Sequence, residues 1–157
     1  MKLKLPLLES LMPSNVEHVD RAVEMVLDTG KKKIAQLGLS FKAGTDDLRE
    51  SPQVQLIKRL MGEGLEVRIW DEDVSLGRIA GANRQYIEEV IPHIGSVLTD
   101  DLEGVLRGAD VVILGNKSAS KEQLAKYLKP EQIVIDLVHL DPTRRPQGVK
   151  TYEGMCW

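Results

Sequence analysis

Two cations seven residues apart open the question of chemistry: Lys42 and Arg49, within Gly38-Leu39-Ser40-Phe41-Lys42-Ala43-Gly44-Thr45-Asp46-Asp47-Leu48-Arg49-Glu50-Ser51-Pro52. A lysine is a mobile point charge, and an arginine presents a planar fork of donors. Glycines let the backbone between them turn where other residues resist, a combination that suits an anionic ligand such as a phosphate. The neighbouring carboxylates Asp46 and Asp47 are better suited to bracing or capping than to a general acid/base pair, and one of them pairing with Arg49 is the alternative role for that arginine. The stretch is neither of the familiar phosphate loops. Gly38 and Gly44 are six apart with no third glycine in place for a dinucleotide fingerprint. Lys42 precedes Gly44, and no Ser or Thr follows it to hold a metal as in a Walker loop.

The flanks say what must position the stretch. Ile34-Ala35-Gln36-Leu37 is an apolar run before it, while Ser51 as a cap and Pro52 in a first turn open a helix carrying Val54, Leu56, Ile57, Leu60 and Met61. Gly62 and Gly64 end that helix, and Val67 and Ile69 alternate with polar neighbours in a second strand. The result is a strand, helix, strand crossover with the basic loop at the carboxyl end of the first strand. Open α/β sheets bind ligands at that edge.

The remaining chain continues the alternation. Ser14-x-x-Glu17 reads as a capping box ahead of Val16, Val19, Val23, Val26 and Leu27, with Gly30 closing that helix. Helical segments are expected at 74–80 and 84–91, separated by Gly81-Ala82-Asn83, with a short strand at Val97-Leu98. Asp100-x-x-Glu103 begins a helix ending at Gly108, Val111–Leu114 is a buried strand, Ser120-x-x-Gln123 opens a helix, and Ile133–Asp136 is another buried strand. Val149-Lys150-Thr151-Tyr152 closes the sheet, at an edge. The predicted architecture is α/β: a Rossmann-like, doubly wound parallel sheet in a single domain preceded by a linker helix. Further loops at the ligand edge are Gly115-Asn116-Lys117 and 136–141. Asp71, ending the second strand, either holds a ribose hydroxyl or starts the next helix. Arg144-Arg145 and His139 are anion contacts or solvated turn residues, and His93 is a surface or packing histidine.

Composition excludes several classes. With 157 residues, a net charge of −3, 42% hydrophobic and 29% charged residues, the chain is an ordinary globular domain with no general affinity expected for nucleic acid or membrane. Lys31-Lys32-Lys33 is a solvated strand entry rather than a nucleic-acid patch. Aromatics are only 4%, so aliphatic residues must fill the core. Leu3, Leu5, Leu7 and Leu8, interrupted by Lys4 and Pro6, do not form a signal peptide, and a cytoplasmic location is expected. The one cysteine, Cys156, excludes an internal disulfide and a thiolate metal cluster, and its place at the chain end is poor for a nucleophile. No metal site and no catalytic residue is predicted in this chain.

The whole stretch from Gly38 to Pro52 resembles the signature of the carboxyl-terminal domain of the UDP-glucose/GDP-mannose dehydrogenase family of nucleotide-sugar 6-dehydrogenases. Ser40, Ala43 and Gly44, with Gly115-Asn116, Leu11-Met12, Ser14-Asn15 and Gly154-Met155-Cys156-Trp157, resemble the branch of that family acting on GDP-mannose. The resemblance implies a division into 1–30, the end of a central region with its linker helix, and 31–157, the nucleotide-sugar-binding domain. It implies a parent enzyme that oxidises GDP-mannose to GDP-mannuronate with two NAD, on the route to alginate-type polymers, and that works as a homodimer. Lys42 would bind the phosphate-bearing part of the substrate, with Phe41 beside the base unless it packs into the core. Arg49 would reach NAD held by an amino-terminal domain. The family's catalytic cysteine lies in a Gly-Gly-Ser-Cys type motif upstream, which is not present, so no turnover is expected from this chain alone. Alternatives left open are a UDP-sugar dehydrogenase domain and a non-catalytic nucleotide-binding module.

Overall fold

A computed structural model describes residues 5–75, 77, 81–141 and 149–155. Five strands, β1 (Lys33–Leu37), β2 (Glu66–Trp70), β3 (Val111–Leu114), β4 (Ile133–Asp136) and β5 (Thr151–Gly154), form one sheet in the order β2-β1-β3-β4-β5. Every pairing is parallel, with Ile34 opposite both Val67 and Val111, and Val111 opposite Ile133. All four residues of β3 are buried, as a central strand covered on both faces requires.

Alternation along the strands separates two cores. Ile34, Val111 and Ile113 face one layer, made with the helices α2 (Leu11–Asp28), α3 (Pro52–Gly62), α4 (Gly81–Val90) and α5 (Ile94–Val97). Ala35, Leu37, Val112 and Leu114 face the other, made with α6 (Leu102–Arg107) and α7 (Lys121–Tyr127). The predicted doubly wound architecture is therefore the observed one. Because β1 is followed in space by β2 on one side and β3 on the other, the strand order reverses between β1 and β3. That gap is where open α/β sheets form a ligand crevice.

The amino-terminal helix starts earlier than its apparent capping box. After α1 (Pro6–Glu9), the chain is already helical from Leu11, and the Ser14 N–H donates to the Ser10 carbonyl at 3.0 Å. Pro13 fits because first-turn N–H groups have no intrahelical partner to lose. Ala22, Val23 and Val26 of α2 are buried in the first core, and Arg59 of α3 pairs with Asp20. Other differences are local. Gly81-Ala82-Asn83 is not a break but the first turn of α4, and Val74 and Ser75 are not helical. Val97 ends α5, while Leu98 makes a single parallel bridge to Ile69 rather than a strand. The cap of α6 is Asp101, one residue later than expected, accepting from the Gly104 N–H at 2.9 Å. The Ser120 and Gln123 capping box is present in both halves, and Lys31 to Lys33 are exposed. Arg144, Arg145 and Cys156 lie outside the described residues. Among the described residues no helix is long and apolar enough to cross a membrane.

Candidate functional site

The loop from Gly38 to Ser51 leaves β1 at the switch point and has two parts. Its base is buried: Leu39, Ser40, Leu48 and Ser51 are fully covered. Gly38 continues the sheet pairing, donating to the Trp70 carbonyl at 2.8 Å, with a φ of 89° that only glycine adopts easily. A Cβ there would lie 2.2 Å from Asn116 Oδ1 and 2.7 Å from the Asn116 nitrogen, so the asparagine side chain occupies the space that the missing Cβ leaves.

A carboxylate organises this base. Asp71, only 2% exposed, accepts at Oδ2 from the Leu39 N–H (2.7 Å), the Ser40 N–H (3.1 Å), the Ser40 hydroxyl (3.1 Å) and Asn116 Nδ2 (3.1 Å). Its Oδ1 accepts from the Asp73 N–H at 2.9 Å, while the Ser118 hydroxyl donates to Asn116 Oδ1 at 2.5 Å. Asp71 thus neither waits for a ribose nor starts a helix; it ties the ends of β1, β2 and β3 together. Asn116 also donates to the Ser40 hydroxyl at 3.0 Å and accepts from the Ser118 N–H at 2.9 Å. A buried charge is tolerated when donors converge on it in this way, and losing one partner strands the others.

A second buried polar pair sits beside it. Gln36 Nε2 donates to the Gly38 carbonyl (2.8 Å) and to Gln53 Oε1 (3.2 Å), and Gln53 Nε2 donates to the Gly115 carbonyl (2.8 Å). Gly115 leaves room for this pair, since a Cβ there would fall 2.2 Å from Gln36 Nε2 and displace the glutamine side chains. Ser51 closes the base by donating its hydroxyl to the Leu39 carbonyl at 2.8 Å.

The crest is open. It is pinched off where the Phe41 N–H donates to the Asp47 carbonyl at 3.0 Å, and its far side is held by Asp73, which accepts from the Gly44 N–H at 2.6 Å, and by Asn83, which donates to the Asp46 carbonyl at 3.2 Å. Phe41 is 63% exposed, which rules out packing in the core. Lys42 is exposed, and among the described residues its ammonium has no ion-pair partner. Arg49 takes the bracing geometry: Nε and Nη2 both donate to the Asp47 carboxylate at 3.0 Å, and its own N–H reaches Asp47 Oδ1 at 3.1 Å. The guanidinium holds the Asp47 carboxyl below its ordinary value, and the carboxylate raises that of Arg49 in turn. Both groups face solvent, so the pair is a weak surface contact.

Other expected edge residues gather less. Asp136 is buried and accepts from the Val138 and Leu140 N–H groups at 2.9 Å and from the Tyr152 hydroxyl, so it shapes its own loop. His139 lies in that loop at φ 50° and His93 is exposed ahead of α5. Among the described residues no cluster of side chains could hold a metal ion. Sequence reasoning singled out Asp71 and Asn116 without their mutual contact, and missed Ser118, Gln36 and Gln53; polar residues inside or just after apolar runs were the available signal.

A family model described as "UDP-glucose/GDP-mannose dehydrogenase family, UDP binding domain" matches residues 35–142. The GDP-mannose 6-dehydrogenase of Pseudomonas putida is 45% identical over 157 residues, all of this chain and 36% of the relative. That of Azotobacter vinelandii is 47% identical over 152 residues, 97% of this chain and 34% of the relative. A ternary-complex crystal structure of GDP-mannose dehydrogenase from Pseudomonas aeruginosa superposes with a TM-score of 0.83 at 42% identity, covering 98% of this chain and 35% of that one. The chain thus spans about a third of the length of these relatives.

Proposed function

The chain belongs to the UDP-glucose/GDP-mannose dehydrogenase family, and on that premise we propose that it is the nucleotide-sugar-binding part of a GDP-mannose 6-dehydrogenase. In this reading residues 1–30 are the end of a central region and 31–157 the binding domain, with α2 packed onto it through Ala22, Val23 and Val26. The single observation that carries the proposal is a basic crest held out from the sheet's switch point by a buried base, with Lys42 exposed and unpaired among the described residues.

Lys42 binds the diphosphate of GDP-mannose as a point charge, and exposed Phe41 offers its ring to the base or sugar. The family model's description names UDP, whereas the relatives matched over nearly the full chain act on GDP-mannose; the full-length likeness favours GDP. NAD would supply hydride acceptance in the parent enzyme. Among the described residues the strand end offers no cradle for it, because the Leu39 and Ser40 N–H groups there are already bonded to Asp71. Contact with NAD is therefore assigned to Arg49 alone, whose exposed fork can turn from Asp47 toward a second anion. The oxidation to GDP-mannuronate, a homodimeric parent, a cytoplasmic location and a place on the route to alginate-type polymers belong to the same reading, with no turnover by this chain alone.

Calorimetric titration of the chain with GDP, UDP, GDP-mannose and NAD, repeated on Lys42→Ala, tests it. The expected result is binding of GDP and GDP-mannose, weaker for UDP, absent for NAD, and lost in Lys42→Ala. Equal binding of GDP by the parent chain and Lys42→Ala would remove Lys42 from the site.

A further inference from the structure

In the folds that hold phosphates at the end of the first strand, backbone N–H groups of the following turn converge on a phosphate oxygen. In this chain three N–H donors converge at that position, the Leu39 N–H, the Ser40 N–H and Asn116 Nδ2, all within 3.1 Å of one oxygen, Asp71 Oδ2; the Ser40 hydroxyl, also 3.1 Å away, shares its proton with the Lys42 carbonyl at 2.9 Å. The oxygen is buried, and the donors come from two strand ends on either side of the switch point. We propose that Asp71 is a built-in counter-anion, a carboxylate directly after β2 that fills the strand-end anion cradle and so forces any phosphate ligand outward to the crest at Lys42.

Two features support this over simple loop bracing. The donors include the two successive N–H groups directly after the strand-end glycine, both aimed at one carboxylate oxygen from another strand end, as backbone amides are at an anion site. In addition, Asn116 presents its donor to the same oxygen while filling the space beside Gly38, so among the described residues this part of the crevice floor is closed and the crest stands above it. Asp73, two residues on, holds the Gly44 N–H at 2.6 Å, so one segment after β2 sets both the floor and the height of the crest. Asp71 is then a positioning residue for the phosphate contact of Lys42, a role that rests on the function proposed above. The cradle itself does not.

The test is chemical rescue. Asp71→Ala leaves several buried donors without an acceptor and should lower Tm by roughly 10 °C. Sodium formate, a free carboxylate small enough for the vacated space, should raise the Tm of Asp71→Ala saturably, while sodium chloride at equal ionic strength does not and the parent chain responds to neither. If Asp71→Ala folds only in part, refolding yield in formate against chloride gives the same answer. Asp71→Asn, which keeps the shape but turns one oxygen into a donor, should fold, show upfield shifts of the Leu39 and Ser40 amide protons, and gain nothing from formate. With GDP as probe, Asp71→Ala should bind at least tenfold more weakly than the parent, recovering to within about threefold in formate. Asp71→Ala that is unaffected by formate, or Asp71→Asn with unmoved Leu39 and Ser40 amides, overturns the cradle. Rescue of stability combined with unchanged GDP affinity overturns the positioning role. Failure of the parent chain to bind GDP would instead strike the proposed function, leaving the formate result to decide the cradle.

Discussion

The base and the crest of one loop differ in every physical respect. The base, Gly38 to Ser40 with Leu48 and Ser51, is buried, glycine-dependent and saturated with hydrogen bonds from three strand ends. The crest, Phe41 to Gly44 with Arg49, is exposed, and a Cβ added at Gly44 would meet nothing within 4 Å. Rigidity and chemistry are thereby separated: the described groups of the base are engaged in hydrogen bonds, while the exposed crest carries Lys42, unpaired among the described residues, and should contribute little to stability. A ligand site needs both, since a charge on an unbraced loop loses binding energy to ordering.

Substitutions should respect that division. Gly38→Ala should have the largest effect, on the order of 3 kcal/mol or more in urea unfolding, because it combines a positive φ with a clash against Asn116 side chain and backbone. A near-neutral Gly38→Ala would mean that the base is not rigid. Ser51→Ala should cost about 1–2 kcal/mol by leaving the buried Leu39 carbonyl without its hydroxyl donor. On the crest, Lys42→Ala should move stability by no more than about 0.5 kcal/mol while removing GDP binding. Crest and base would cease to be distinct if Lys42→Ala unfolded as readily as Ser51→Ala.

The smallest effect is electrostatic. Arg49 lowers the Asp47 carboxyl, so the folded-state value lies beneath the unfolded one of about 3.9. The pair's contribution is present above the unfolded value and is lost as pH falls through the folded one. Arg49→Gln should therefore slightly lower Tm near neutrality and converge with the parent at the most acid pH at which both remain folded. Solvent exposure keeps the difference small, and a large one would place Arg49 in the base rather than on the crest.

The strands and most helices were legible because periodicity and caps are local. Ile34 to Leu37, Val111 to Leu114 and the Ser120 and Gln123 capping box all appear as expected. Leu98 was not, since a single bridge to Ile69 pairs it without making a strand. Ser14 was misleading because a serine and a glutamate three residues apart look the same whether or not the preceding residues are helical.

By itself the sequence determined the alternation of strands and helices and the basic loop with Lys42 and Arg49 at the carboxyl edge, all written within contiguous stretches, while the roles proposed for Phe41, Lys42 and Arg49 rest on the family resemblance. Tertiary structure alone decided that Asp71 faces Leu39, Ser40 and Asn116, partners 31 to 45 residues away. It also decided that Arg49 rests on Asp47, which spacing had left open. The reason is that a carboxylate at a strand end is equally compatible with a ribose, a helix cap or an internal donor set. Which of these it meets depends on the strand order β2-β1-β3, and that order is set by packing two aliphatic layers across one sheet rather than by any local residue pattern.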